Sequence, residues 1–266
     1  MQDVVALGRG DKELLEMGPQ QAAVVAERAI SWADPAAVLF VGIAGALKDD
    51  LALGEVVAAT RVMGFQGGKE TSAGFRSRPE TWAGAHRLLQ VGQYVEANAS
   101  WVKFLPDGDA NPAPNLHFKP IASGDVVNDT NDSPLATLLN TTYNDTAAIE
   151  MEVAGVAQAA QHTGVELLVI RGISDPSDGT KAFSDANGWQ PRAARHAAAF
   201  ALGVIGPAAA PEWSVLEQAP AVSWRTNMHG AYATRRRRQQ DIAVDRAAIH
   251  RGPIMMQATN PGSLRR

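Results

Sequence analysis

The sequence has no cysteine in its 266 residues. That absence excludes a disulfide-stapled fold, an iron–sulfur site and any thiol nucleophile. It also removes the usual structural zinc sites, for which six scattered histidines rarely suffice, so no metal is expected. No run approaches the ~18 apolar residues of a membrane span. Residues Met1 to Gly10 carry no basic segment ahead of an apolar core, so no signal peptide is expected. These absences predict a soluble cytoplasmic protein without a membrane partner. Internal repeats are missing too.

What is present is ordinary for a globular protein: 45% hydrophobic and 20% charged residues, which excludes disorder along the whole chain. At roughly 150 residues per domain, the length predicts one large domain, or one domain plus an appendage. The net charge of −4 conceals an asymmetry: residues 1–206 carry 15 Lys+Arg against 24 Asp+Glu, and residues 207–266 carry 9 against 4. An acidic body and a basic tail are segments with different physics. We therefore expect a domain over 1–206 and a basic, Pro/Arg-containing tail over 207–266. That tail opens on the linker-like Pro207-Ala208-Ala209-Ala210-Pro211, shows no sustained periodicity and is expected to be mostly disordered. Its run Arg235 to Arg238 has no interleaved aromatics and no nucleic-acid motif, so nucleic acid is not an expected partner.

The body alternates strand-like and helix-like segments. Strands are predicted at Val4 to Leu7, Ala36 to Val41, Gly54 to Thr60, Leu116 to Ala122 and Glu166 to Ile170. Helices are predicted at Gln20 to Trp32, Pro79 to Val91, Ala147 to His162 with Gly164 as C-cap, and Pro191 to Val204. Ala36 to Val41 is apolar throughout, as strands are when helices cover both faces of a sheet. The alternation predicts an α/β fold, a three-layer αβα sandwich around a central mixed sheet.

In open α/β sheets, ligands bind beyond the carboxyl ends of strands. Three polar clusters fall there: Gly42-Ile43-Ala44-Gly45, read as a turn, Ser123-Gly124-Asp125, and Arg171-Gly172-Ile173-Ser174-Asp175. A fourth, Glu150-Met151-Glu152, opens a predicted helix, where the helix dipole favours glutamate. An arginine beside an apolar strand needs a partner if buried, and Glu152 or Asp175 is available to Arg171.

In this order and spacing, these residues resemble the purine nucleoside phosphorylase and uridine phosphorylase superfamily. The likeness is greatest to its 5′-methylthioadenosine/S-adenosylhomocysteine nucleosidases. It covers about Val4 to Ile205 and is carried by Val41 to Leu47, Leu53-Gly54-Glu55-Val56-Val57, Ile121 to Asp125, Ile149-Glu150-Met151-Glu152 and Val169 to Asp175. The most specific element is Glu-Met-Glu followed nineteen residues later by Arg-x-x-Ser-Asp.

The resemblance implies a purine nucleosidase acting on an adenine nucleoside, without cofactor or metal, as a homo-oligomer such as a dimer. It makes Asp175 the acid at N7 of the purine and Ser174 the residue orienting it. Glu152 would bind the ribose hydroxyls, with Met151 against the sugar. Arg171 would orient the attacking water or the neighbouring Glu. Val126, Val127 and Asn128 would wall the base, and Ile43, Ala44 and Gly45 would lie beneath ribose and base. The roles suit the chemistry: the leaving base gathers negative charge and the sugar positive charge, so an acid belongs at the one and a carboxylate at the other.

The sequence also departs from the family pattern. Family members begin with a strand and helix ahead of the part matched by Val4 to Leu7, and nucleosidases carry there a Glu that serves as base for the water. Glu13 and Glu16 follow the matched strand and do not inherit that role. A sheet short of one strand, with an exposed edge, is therefore expected. Three alternatives stay open: phosphorolysis, a nucleotide-cleaving effector module, and a catalytically silent nucleoside-binding module. Arg9-Gly10 and Arg61 are conceivable phosphate contacts, and Arg76 and Arg78 read as solvated surface.

Overall fold

The computed structural model describes residues 18–209, together with the backbone of two strands, Val5–Gly8 and Met255–Ala258. The first of these, β1, is followed by α1 (Pro19–Ala33), β2 (Ala37–Ala46) and β3 (Val56–Gly64). A small hairpin, β4 (Gly68–Thr71) and β5 (Gly74–Ser77), leads to β6 (Glu80–Ala83) and α2 (His86–Ala97). Then come β7 (Leu116–Ser123), α3 (Pro134–Thr142), β8 (Ala148–Glu150) and α4 (Val153–Thr163). The body ends with β9 (Glu166–Asp175), α5 (Lys181–Ala186) and α6 (Trp189–Ala209), and Met255–Ala258 is β10.

The sheet is mixed, with helices on both faces, as the strand–helix alternation predicts. Strand β2 is its spine, and its side chains alternate as a pleated strand requires. Val38, Phe40 and Ala44 point into one apolar cluster with α1 and α4, while Ala37, Leu39 and Val41 point into a second with α2 and α6. Strand β9 alternates the same way, with Val169 and Ile173 on the first side and Leu168 and Ile170 on the second. Helices α1 and α4 approach closely because α4 carries Gly155, where a Cβ would collide with the Pro19 carbonyl.

The sheet also closes on itself. Strand β2 pairs with β9 in parallel, β9 with β3 antiparallel, β3 with β7 and β7 with β8 in parallel, and β8 returns antiparallel to β2. This circuit brings the ends of β2, β8 and β9 together: Gly45 is opposite both Ile149 and Asp175.

Several elements differ from the sequence expectation. Gly42 to Gly45 is strand rather than turn, because pairing with β9 continues through Gly45. The segment after Pro79 opens with a strand, β6, which pairs antiparallel with the end of β3, so the helix starts only at His86. Ala147 to His162 likewise splits: Ala148 and Ile149 pair with β2 and β7 before α4 begins. Gly164 does close α4, in the left-handed conformation with φ 71°.

The expected tail boundary moves as well. Helix α6 continues to Ala209, because Ala208 is buried and the Arg87 guanidinium donates to its carbonyl at 2.9 Å. Strand β10 lies between β1 and β2, parallel to both, with Met255 opposite Val5 and Val38. Met255–Ala258 is thus strand within the segment expected to be disordered, and it takes a place in the sheet between β1 and β2. The rest of the tail and the segment holding Arg9, Glu13 and Glu16 lie outside the described residues.

Candidate active site

Arg171 is the largest fully buried side chain among the described residues, at 1% exposure. Its Nη2 donates to Glu150 Oε2 at 2.9 Å, and its guanidinium stacks on Phe40 at 4.4 Å from the ring centre. The partner is therefore Glu150, not Glu152 or Asp175 as the sequence suggested. Pairing in so dry a place requires Glu150's other lone pairs to be filled. The backbone supplies this: Glu152 N–H donates to Oε2 at 3.0 Å, and Val153 N–H reaches both carboxylate oxygens. Glu150 thus satisfies orphan donors at the start of α4, and Ser123 Oγ takes the Ala154 N–H at 2.9 Å. The bland reading of a glutamate at a helix start holds for Glu150.

Glu152 is different. It is half-buried, and the desolvation of its carboxyl, with the Glu150 charge beside it, pushes its pKa up to about 7 against the partial relief of Arg171. Met151, half-buried, lies between the two glutamates.

Asp175 closes β9 and is 4% exposed. Ser174 Oγ donates to its Oδ2 at 2.8 Å, the orienting contact expected of that serine. Two donors the sequence reading missed come from Ser177, whose φ of 50° is left-handed. Its N–H lies 3.2 Å and its Oγ 3.4 Å from Oδ1. Lys181 Nζ, also missed, stands 3.0 Å from Oδ2. The loop leading to it is held by Asp178, which accepts from Thr180 N–H at 3.0 Å and from its hydroxyl at 2.6 Å. Both residues follow the Ser-Asp pair in a loop rich in turn formers, a weak signal that only geometry converts into contacts.

Gly45 lies against this carboxylate. A Cβ there would stand 2.9 Å from Asp175 Oδ1 and collide with Ser177 Oγ. Ala44 contributes its carbonyl, 3.3 Å from Ser174 Oγ, and Ile43 is half-buried one residue before. Asn128 is buried and its side-chain amide donates to the Ser177 carbonyl at 3.5 Å, while Val126 and Val127 beside it are 46% and 50% exposed. Asp175, Ser174, Ser177, Ala44 and Asn128 are therefore linked by hydrogen bonds, with Gly45 packed against them. Gly45 also lies opposite Ile149 in the strand that ends at Glu150, and Gly124 N–H donates to the Glu150 carbonyl at 3.2 Å.

Other candidates lie at the surface or in a separate groove. Arg61 pairs with Asp145 at 3.4 Å on the surface, and Arg76 and Arg78 are exposed. A groove of about 290 Å³ between Trp82, Ala160 and Leu167 holds a single ionisable residue, Glu166, which is engaged by Arg87 at 2.8 Å. No group of three metal-ligating side chains occurs among the described residues, and no described helix is long and apolar enough to cross a membrane.

Comparison with known proteins identifies relatives of this chain. An ATP nucleosidase of Escherichia coli is 28% identical over 180 residues, 62% of this chain and 35% of that protein. A 5′-methylthioadenosine/S-adenosylhomocysteine nucleosidase of Exiguobacterium is 29% identical over 171 residues, 61% of this chain and 65% of that protein. The chain thus spans about a third of the first relative and just under two thirds of the second. Among solved structures, the corresponding nucleosidase of Neisseria meningitidis, in complex with methylthio-immucillin-A, shares the fold at a TM-score of 0.58 and 23% identity, over 72% of this chain and 78% of that one. Futalosine hydrolase of Helicobacter pylori does so at the same TM-score and identity, over 72% and 77%. The sequence matches the phosphorylase superfamily over residues 2–206, and the chain belongs to that family.

Proposed function

We propose that this chain is a purine nucleosidase that hydrolyses the N-ribosidic bond of an adenine nucleoside. The observation that carries the reading is the Asp175 carboxylate, buried at the end of β9 and fixed by Ser174 and Ser177, with Gly45 of β2 opposite both Asp175 and Ile149, the residue before Glu150-Met151-Glu152. Relatives named as nucleosidases of ATP and of methylthioadenosine support the reaction class.

In this reading Asp175 delivers a proton to N7 of the base while the C1′–N9 bond breaks and its electron pair leaves with the purine. General acid help of this kind is worth about 10²–10⁴-fold. Glu152 accepts the ribose hydroxyls, and its ionised form stabilises the cationic sugar. Met151 lies against the ribose, and Val127 and Asn128 border the base. Ile43, Ala44 and Gly45 lie beneath them, with Gly45 leaving room where a side chain would displace the acid. Arg171 acts indirectly, by holding Glu150 and through it the start of α4. No cofactor is required.

The test is release of free base from methylthioadenosine, adenosylhomocysteine, adenosine, AMP and ATP, with and without phosphate. Adenine release without phosphate is the expected result. Release only with phosphate would make the chain a phosphorylase, and binding without release would make it a silent nucleoside-binding module. Release from ATP or AMP alone would point to a nucleotide-cleaving module. Asp175→Asn is expected to abolish base release while ligand binding persists; wild-type turnover in that variant would remove Asp175 from the chemistry.

A further inference from the structure

Four donors surround the Asp175 carboxylate: Ser174 Oγ at 2.8 Å, Lys181 Nζ at 3.0 Å, Ser177 N–H at 3.2 Å and Ser177 Oγ at 3.4 Å. All four complement an ionised carboxylate, yet a leaving purine needs a proton. Of the four, hydroxyls and a backbone amide do not act as acids near neutral pH; the ammonium can. Lys181 is also the one that meets solvent, its side chain being 32% exposed against 6% for Asp175.

We propose that Lys181 reloads Asp175 with the proton that the purine takes, as a positioning residue for the acid rather than a group that touches substrate. The inference rests on the nucleosidase reading above. One Nζ proton passes to the carboxylate, and the carboxyl group passes it to N7 as C1′–N9 breaks. Water adds to C1′ and gives its proton to solvent, and solvent returns one to Nζ. Atoms and charge balance without another reactant.

The other ionisable group at the pair is Asp185 on α5, 4.0 Å from Nζ. Asp178 faces Thr180 instead, and strands β2 and β3 bring only backbone and small or apolar side chains to the end of β9. Helix α6 contributes His196, which binds the Gly54 carbonyl at 2.6 Å and Asp109 at 3.1 Å, away from Asp175.

The experiment compares wild type, Lys181→Met and Lys181→Arg on two substrates at pH 5 to 9. One is a plain adenine riboside; the other is its N7-methylated form, whose base leaves without needing a proton. Both variants are expected to release adenine from the plain riboside about 10²-fold more slowly at pH 8. The deficit should shrink toward pH 5, as solvent protons become abundant enough to load the carboxylate directly. Cleavage of the N7-methylated riboside should be unaffected. Arginine keeps the ion pair but holds its protons, so wild-type rates in Lys181→Arg would reduce the role to charge pairing and overturn the relay. Equal losses on both substrates, or faster turnover in Lys181→Met, would overturn it as well.

If wild type cleaves no riboside, the nucleosidase reading fails, and the relay is then read from the rate at which adenine binds at pH 8, followed by stopped-flow fluorescence. Wild type should reach the bound state faster than Lys181→Met, because Nζ loads its carboxylate and is refilled by solvent. Equal rates, or no binding of adenine, would remove the relay too.

Discussion

Strand β9 carries one ion pair at Arg171 and another at Asp175, four residues apart, and the two are built for different work. The Arg171–Glu150 pair is sealed, with both side chains 2% exposed, and is backed by an aromatic ring and the first amides of α4. The Asp175–Lys181 pair is sealed on one side only: the carboxylate is 6% exposed and the lysine 32%. Desolvation makes the first pair expensive to separate, whereas the second can trade its lysine contact for water. A fixed pair suits architecture, and an exchangeable one suits a proton that must come and go.

Breaking the sealed pair should have the largest effect on the fold. Arg171→Met leaves the Glu150 carboxylate buried without its counter-charge, a change worth about 3–5 kcal/mol. Urea unfolding should show that loss. A loss below about 1 kcal/mol would mean that the amides of α4 alone satisfy Glu150. Adding Glu150→Leu should restore only part of the stability, because α4 then loses its capping carboxylate as well.

The exchangeable pair is most easily disturbed from below. Gly45→Ala drives a Cβ into Ser177 Oγ and to 2.9 Å from Asp175 Oδ1, so the left-handed loop at Ser177 must shift. Overpacking of this kind costs about 1–3 kcal/mol. Base release should fall by more than the stability loss explains, since the acid moves with Ser177. If thermal unfolding shifts while kcat/KM stays at wild type, Gly45 serves packing alone.

The sequence made β2, β7, β9 and the helix closing at Gly164 legible, because each rests on a local pattern, an apolar run or a glycine stop, and the Ser-Asp pair after a strand marked a carboxylate that the structure buries. What it hid depends on partners distant in the chain. Ile149 looks helical by spacing and becomes strand because Gly45 and Ala122 offer pairing. Arg171 had Glu152 and Asp175 within plausible reach by sequence, and the β7–β8 register, with Ser123 opposite Glu150, brings it Glu150 instead. Lys181 reaches Asp175 because the intervening loop turns back through Ser177, a left-handed residue that no glycine announces. Strand β10 was invisible since Met255–Ala258 is short and interrupted by Gln257, and its place between β1 and β2 belongs to the sheet rather than to its own sequence.

The smallest expected change is the one whose sign discriminates best. Glu152 stands beside the sealed pair without belonging to it, and burial with Glu150's charge raises its pKa from 4.5 to about 7. A raised pKa means that the folded state holds the proton more tightly than the unfolded chain. Its contribution is therefore fully present below pH 4.5 and is lost as the pH rises through about 7. Glu152→Gln removes that dependence, so the variant should gain stability relative to wild type on going from pH 5 to 8, by a modest amount because solvent reaches the group. The same substitution should weaken ribosides and spare free adenine, since an ionised Glu152 is what the ribose hydroxyls would bind. Riboside affinity in wild type should in turn rise through pH 7 as the carboxylate forms, while adenine affinity does not follow it. Parallel pH dependence for the two ligands would detach Glu152 from the sugar and leave its raised pKa a consequence of lying next to Glu150.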